Sequence, residues 1–457
     1  VLKITNIKTN TNFFSINNIK PPNCLLFGDR FKFLFKLPLA LVLIANLFLA
    51  GCQNLVEPPK STDITNITFW QGVNPPPNRD VLQKLVDRFN QQHPDIKVES
   101  LYVGQSEQQL PKILAAVVGN APPDLLWFNA TLTGQLVELN AILPLENWLA
   151  KLPEFSQIDP ALFESMEYGG HTWSVPFATN NVSIFYRPSL FKAAGITELP
   201  QTWEQLRQVA RKLTIDTNGD RRIDQHGIFL PLGKGEFAVF LWLPFMWSGG
   251  GELVANDNQT PAIVNPGAIS SMELWHSLIA DGSALLSLPE RGFETDNFLA
   301  GKVAMQITGP WTLGQLQATG VDFDVFPIPT KLKPATAIGG ENLFVFKSNP
   351  KQEAAALKFA QFVLGEEFQT QWAINTGYLP INIKARLSAQ YQTFVAQHPA
   401  VKVFLDQAKY GRSRPIFPRY SRLSESLGRA LESVLLGKST PESALKTAQD
   451  RLDLIFR

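Results

Sequence analysis

The chain has 457 residues, of which 45% are hydrophobic and 18% charged, and its formal net charge is +1. That length exceeds one ordinary core and implies two globular units. The near-neutral balance excludes the basic stripe that a nucleic-acid binder sets against phosphates. Two cysteines, Cys24 and Cys52, are too few for a Cys-rich zinc site or a dense disulfide framework.

The first strongly apolar run is Leu37 to Ala50, and at 14 residues it is shorter than the roughly 20 that span a bilayer. Arg30, Lys32 and Lys36 precede it, which is the charged-then-apolar order of a secretory signal. It ends in Leu49-Ala50-Gly51-Cys52, which resembles the lipobox of bacterial lipoproteins. That resemblance implies cleavage after Gly51 and a lipid on Cys52, so residues 1–51 read as a signal peptide and 52–62 as a tether. Without the signal the chain carries 35 basic and 39 acidic residues, a net charge of −4. A diacyl anchor holds a soluble domain at a membrane without a spanning helix.

Beyond the tether, strand-like and helix-like segments alternate. Ile64 to Trp70 is rich in β-branched and aromatic residues and stops at Gly72 and Pro75-Pro76-Pro77. Val81, Leu82, Leu85, Val86 and Phe89 follow helical spacing, Ile96–Val103 reads as a strand, and Leu110–Val118 as a helix. Asp124–Phe128 reads as a third, fully buried strand. A β-α-β-α-β order predicts a parallel, helix-covered sheet, with ligands beyond the carboxyl ends of its strands. Further helical patterns fall near Trp203–Leu213, Ala268–Ala280, Gln352–Leu364 and Arg422–Leu436. Strand-like pieces fall at Val175–Tyr186, Val303–Ile307, Phe323–Pro327 and Asn342–Phe346.

Several motifs then occur in order: Gly170-His171-Thr172-Trp173-Ser174-Val175-Pro176, Phe185-Tyr186-Arg187, Phe191-Lys192-Ala193-Ala194-Gly195 and Pro200-Gln201-Thr202-Trp203-Glu204. Trp247-Ser248-Gly249-Gly250-Gly251-Glu252, Gly309-Pro310-Trp311, Gly339-Gly340-Glu341-Asn342 and Thr376-Gly377-Tyr378-Leu379-Pro380 follow. Together they resemble the extracellular solute-binding proteins of bacterial ABC importers, in the sugar-binding family of the maltose- and trehalose-binding proteins. The resemblance implies a periplasmic-binding-protein-like α/β fold, two α/β lobes joined by a multi-strand hinge with a cleft between them. It implies a first lobe of 63–176 plus 308–345 and a second of 177–307 plus 346–457. It further implies a monomer with a sugar ligand and transmembrane permease subunits as partners, at the periplasmic face of the membrane or the outer face of a single-membrane cell.

A sugar site needs aromatic platforms beside fixed polar groups. Trp70 and Asn74 lie at the end of the first strand and Asn129 just after the third, where the strand-end rule places a ligand. Trp247 precedes three glycines, which let backbone approach a ligand closely. By resemblance, Asn180 stands where relatives carry an acidic sugar ligand, Trp311 where they stack a sugar, and Arg414 where an arginine donates paired hydrogen bonds. Glu341 and Tyr378 are further candidates that either touch ligand or brace the hinge. Trp148, Trp203, Trp275 and Trp372 sit in helical patterns and read as core.

Asp216-Thr217-Asn218-Gly219-Asp220-Arg221-Arg222-Ile223-Asp224 places Asp216, Asn218, Asp220 and Asp224 at positions 1, 3, 5 and 9 of a calcium loop. Arg221 replaces the glycine of position 6, and Gly227 replaces the glutamate of position 12. The alternatives are a structural calcium completed by a remote carboxylate and an Asx-rich turn that satisfies itself.

Three competing functions remain. A glycoside hydrolase would need two facing carboxylates, with Glu164, Glu167, Glu236 and Glu252 as candidates. No nucleophile elbow, zinc helix or phosphate loop is present, and the five histidines are scattered, so capture without catalysis is expected. A glycerol-phosphate ligand would need cleft cations, for which Arg412, Arg414 and Lys234 are available. An assembly or adhesion module would show no closure on a small ligand.

Overall fold

In a computed structural model of the chain, the described residues are 64–257, 259–288 and 294–457. The apolar run, Cys52 and the tether lie outside them. Helices begin where the sequence supplies a cap or a proline. Thr202 and Gln205 form a reciprocal capping box for Trp203–Lys212, and Asn265 and Asn349 cap Pro266–Ala280 and Pro350–Leu364.

Two five-stranded sheets organise the described residues. Across the first, the order is Ile96–Tyr102, Thr65–Gln71, Leu125–Asn129, Glu341–Val345, Val175–Pro176. The three N-terminal strands are parallel, as the alternation of strand and helix predicts; Glu341–Val345 is added antiparallel to them, and Val175–Pro176 antiparallel to it. Across the second, the order is Ala284–Leu286, His226–Leu230, Val303–Thr308, Ser183–Tyr186, Asp324–Phe326.

Period-two alternation sends neighbouring residues of each strand into separate cores. Ile67, Phe69, Leu125, Trp127, Leu343 and Val345 pack on one face of the first sheet, and Leu126, Phe128 and Phe344 on the other. In the second sheet Ile184, Ile228, Leu230 and Met305 face one core, while Phe185, Phe229 and Val325 face its counterpart.

The segment Val175–Tyr186, expected as one strand, is three. Val175–Pro176 joins the first sheet and Ser183–Tyr186 the second. Between them Asn180–Asn181 joins a three-stranded hinge sheet with Thr336–Gly339 and Gly411–Arg412. A second crossing runs through Gly339, Gly340 and Glu341. Gly340 has φ +118, and a Cβ there would lie 2.1 Å from the Ala178 carbonyl oxygen, so only glycine lets the two crossings lie side by side. A third crossing passes Leu379, which bridges to Thr179.

The lobe limits differ from the expected ones. Within 308–345, Asp324–Phe326 belongs to the second sheet, paired with Ser183–Tyr186, and only Glu341–Val345 joins the first. Within 346–457, Phe359, Val363, Phe368 and Trp372 pack in the first lobe's core, because helices Pro350–Leu364 and Glu366–Thr376 lie against its sheet. Helices Tyr420–Leu435 and Pro441–Phe456 pack in the second lobe, as expected.

Among the described residues, no helix is long and apolar enough to cross a membrane. The buried helix Glu236–Ser248 is apolar on every side between its first and last residues, a pattern with no helical period to read.

Candidate functional site

The lobes meet over a cavity of about 100 Å³ at the carboxyl ends of the first sheet's parallel strands. The first lobe supplies Gly72, Asn74, Gln105, Trp127 and Asn129. The hinge supplies Asn180, Gly339, Gly340 and Glu341, and the second lobe Glu236, Phe237 and Phe240. Trp311, Tyr378 and Arg414 complete the wall.

Gly309-Pro310-Trp311 folds back on itself, so that a Cβ at Gly309 would lie 2.0 Å from the Trp311 ring. The indole is half-buried and touches the principal cores of both lobes, and it faces Phe240 of the second lobe at 6.4 Å between centroids. Asn78 anchors its backbone, donating to the Trp311 carbonyl at 3.0 Å. Asn129 is buried at its strand's end and accepts the Thr131 hydroxyl.

Charge in the cavity centres on Arg414. Its guanidinium pairs with Glu236 at 2.5 Å and lies 4.7 Å over the Phe240 ring. Glu236 also accepts the Tyr420 hydroxyl at 3.1 Å and the Ser424 hydroxyl. Burial pushes the Glu341 carboxyl up to about 7, against the opposing pull of Arg414. Burial also raises the Tyr378 hydroxyl well above its ordinary range, and the nearby Glu341 adds to that.

Four polar atoms on cavity-lining residues are buried without a hydrogen-bond partner: Trp127 Nε1, Arg414 Nε, Asn180 Oδ1 and Glu341 Oε2. Two are donors and two are carbonyl or carboxylate oxygens.

Seven of the nine residues singled out from sequence thus line one cavity: Asn74, Asn129, Asn180, Trp311, Glu341, Tyr378 and Arg414. Trp70 does not. It lies within its strand, with registered partners Leu101 and Leu126, and packs on the sheet face that carries Leu126 and Phe128. The ligand end of that strand begins two residues later, at Gly72. Trp247 is also elsewhere. It is 1% exposed in the second lobe's core and lines an adjoining groove of about 1160 Å³, which shares Gly339, Gly340 and Arg414 with the cavity; the Arg412 guanidinium stands 5.0 Å from its ring.

Of the cations available for an anionic ligand, Arg412 lies in that groove, paired with Glu252, and Lys234 is not part of the cavity wall. Pattern reading missed Trp127, Phe237 and Phe240. It considered Glu236 only as an acid for catalysis, although a single carboxylate opening a wholly apolar helix is a signal in itself.

The proposed calcium loop satisfies itself. Asp216 accepts the backbone amides of Gly219 and Arg221, both at 2.7 Å, and Asp220 accepts that of Arg222 at 2.8 Å. Asn218 accepts the Asp220 amide, and Asp224 accepts the amide and hydroxyl of Thr217. Among the described residues no group of three or more His, Cys, Asp or Glu could hold a metal ion.

The family model for bacterial extracellular solute-binding proteins matches residues 84–402, more than half of the chain. The chain belongs to that family. Membership places it outside the cytoplasm, in the periplasm or at the cell exterior. Among relatives of this solute-binding protein, a putative binding protein of Brucella abortus is 28% identical over 294 residues, covering 63% of this chain and 69% of that one. The sn-glycerol-3-phosphate-binding periplasmic protein of Escherichia coli is 27% identical over 418 residues, covering 86% and 93%. The maltotriose-binding protein of Pyrococcus abyssi is 25% identical over 326 residues, covering 69% and 66%.

The two-lobed fold recurs in an ABC transporter solute-binding protein of Thermotoga lettingae crystallised with α-D-tagatose. Its TM-score is 0.78 at 22% identity, covering 86% of this chain and 100% of that one. A maltodextrin-binding domain of Bdellovibrio bacteriovorus bound to maltotriose gives 0.76 at 23% identity, covering 86% and 100%.

Proposed function

We propose that this solute-binding protein captures a neutral sugar, a saccharide or sugar-polyol, between its lobes and delivers it to the transmembrane subunits of an ABC importer. The observation that carries the reading is the set of four unpartnered polar atoms around the cavity. Each such atom costs about 1–3 kcal/mol when left unmet. Two donors and two acceptor oxygens are matched by hydroxyls, which donate and accept alike, whereas an ionised phosphate only accepts. The Trp311, Phe237 and Phe240 rings offer apolar faces for sugar C–H groups. The relatives named for maltotriose and the tagatose-bound neighbour support the same class of ligand.

The cavity of about 100 Å³ has the liquid volume of roughly three waters. A sugar ring therefore enters with the lobes further apart, and hinge closure signals its capture to the permease. Uptake calls for no bond-breaking step in this chain, which acts as a monomer and hydrolyses nothing. Lipidation of Cys52, at the end of the apolar run, would keep it at the membrane; C52A should then move from the membrane fraction to the soluble one.

The glycerol-phosphate reading is favoured by the Escherichia coli relative. Against it stands the commitment of Arg414, the cavity's cation, to Glu236. Thermal melting with a panel of mono-, di- and oligosaccharides, glycosyl-glycerols and sn-glycerol 3-phosphate decides between them. Binding at 100 times Kd adds about 2.7 kcal/mol to stability. A shift with a neutral sugar and none with the phosphate is expected; the reverse overturns the reading.

A further inference from the structure

We infer that Glu236 sets the charge specificity of the cavity: by holding Arg414 in a closed ion pair it excludes phosphate and carboxylate ligands. This assignment rests on the cavity being the ligand site, as proposed above.

Arg414 is the one cation among the described residues that line the cavity. A buried guanidinium is ordinarily the preferred partner of a phosphate, which it grips through two parallel hydrogen bonds. Here one guanidinium nitrogen is held by the Glu236 carboxylate. The Arg414 and Glu236 side chains are only 8% and 16% exposed, so their pairing is little weakened by solvent. Glu236 is itself tied down at both oxygens, Oε1 by the Tyr420 hydroxyl and Oε2 by the Ser424 hydroxyl. It also opens the helix Glu236–Ser248, where a negative charge is favoured by the helix dipole.

All these groups belong to the second lobe or to the segment that follows the hinge strand Gly411–Arg412, so the pair forms without help from the first lobe. An arriving phosphate has two routes. It displaces Glu236, breaking three polar contacts, or it becomes a further anion on one cation that already serves Glu236 and lies near Glu341. Both are costly in a desolvated site, and this repulsion discriminates against anions without any contact to a neutral sugar.

The experiment titrates the full-length protein, E236Q, E341Q and the double variant with inorganic phosphate and with sn-glycerol 3-phosphate by calorimetry. Circular dichroism and melting confirm that each variant is folded. Wild type and E341Q are expected to bind neither anion at millimolar concentration, and E236Q to gain about tenfold or more in affinity, the weight of one charge-assisted pair. Equal anion binding by wild type and E236Q overturns the assignment, as does a folded E236Q without gain. A gain confined to the double variant also overturns it, because Glu236 would then not be sufficient to set the exclusion by itself.

If E236Q does not fold, the Y420F/S424A variant loosens the same carboxylate. It is expected to show a smaller gain, and its absence in folded protein overturns the assignment. Neutral sugars titrated against wild type test the ligand site separately. If none binds while E236Q gains phosphate affinity, the sugar reading falls and the role of Glu236 stands.

Discussion

The Glu107 carboxylate, in the first-lobe helix Ser106–Val118, accepts the backbone amide of Phe237 in the first turn of the second-lobe helix Glu236–Ser248, at 3.2 Å. The contact spans the cleft at the mouth of the cavity, and a Cβ at Gly235 would strike the Glu107 side chain at 2.5 Å. A latch of this kind favours the closed arrangement and adds to ligand affinity only through closure. Glu107→Ala is expected to weaken sugar binding by about tenfold, the effect of one hydrogen bond to a charged group. It leaves unliganded melting nearly unchanged. Calorimetry with small-angle scattering reads both effects, and unaltered affinity would remove the latch.

Trp311 and Trp247 separate ligand contact from packing. Trp311 lines the cavity and bridges the principal cores of both lobes, so Trp311→Ala is expected to lower sugar affinity by about tenfold or more through loss of the aromatic face. Trp247 is buried in one core and does not line the cavity. Trp247→Ala is expected to cost about 3–5 kcal/mol of stability while the folded fraction keeps its affinity. Denaturant melts and ligand titrations of the two variants, run side by side, check the contrast.

These two tryptophans also mark how far sequence carried the site. Asn74 and Asn129 reach the cavity wall through a strand-end rule that needs only local periodicity, whereas Trp311 is singled out by resemblance to the family and by no local pattern. Trp70 lies outside the cavity wall because it sits inside the strand, two residues before Gly72. Trp247 failed because glycines that allow close backbone approach here serve core packing: a Cβ at Gly251 would lie 2.7 Å from the Met246 side chain.

The βαβ order of the first lobe was visible in amphipathic spacing. The division of Val175–Tyr186 among three sheets was not, since its partners in the hinge sheet and the second sheet lie more than a hundred residues away in sequence. Helix Glu236–Ser248 hid for a different reason. Buried on all sides, it shows no amphipathic stripe, and its Pro244 argues locally against a helix.

The Asp216–Asp224 loop leads to a prediction about metal. Its carboxylates accept backbone amides, and Arg221 takes φ +68 at the position where a calcium loop has glycine. Calcium at millimolar concentration and excess chelator are both expected to leave the melting temperature unchanged. A rise with calcium that D216N and D220N abolish would show that a remote ligand completes the site.

Glu341 makes stability depend on pH in a defined window. Its ordinary value is 4.5, and in the folded protein burial raises it to about 7. Below the ordinary value the carboxyl is protonated in both states and contributes nothing. As pH rises from 4.5 to about 7, the unfolded chain releases a proton that the folded protein keeps. The native state then binds more protons, so stability falls with rising pH. Above that window both states are ionised and the loss is constant, at most about 3.5 kcal/mol from about 1.4 kcal/mol per pH unit. Asp281 acts in the opposite sense: held low by Arg207 and Arg211, it loses its contribution as pH falls, below the Glu341 window. Glu341→Gln keeps the shape of the side chain and removes the titration. The melting-temperature difference between E341Q and wild type is expected to grow from pH 4.5 to about 7 and then level off. A difference that is flat across that range would mean Glu341 titrates as an exposed carboxylate, open to solvent rather than enclosed by the closed lobes.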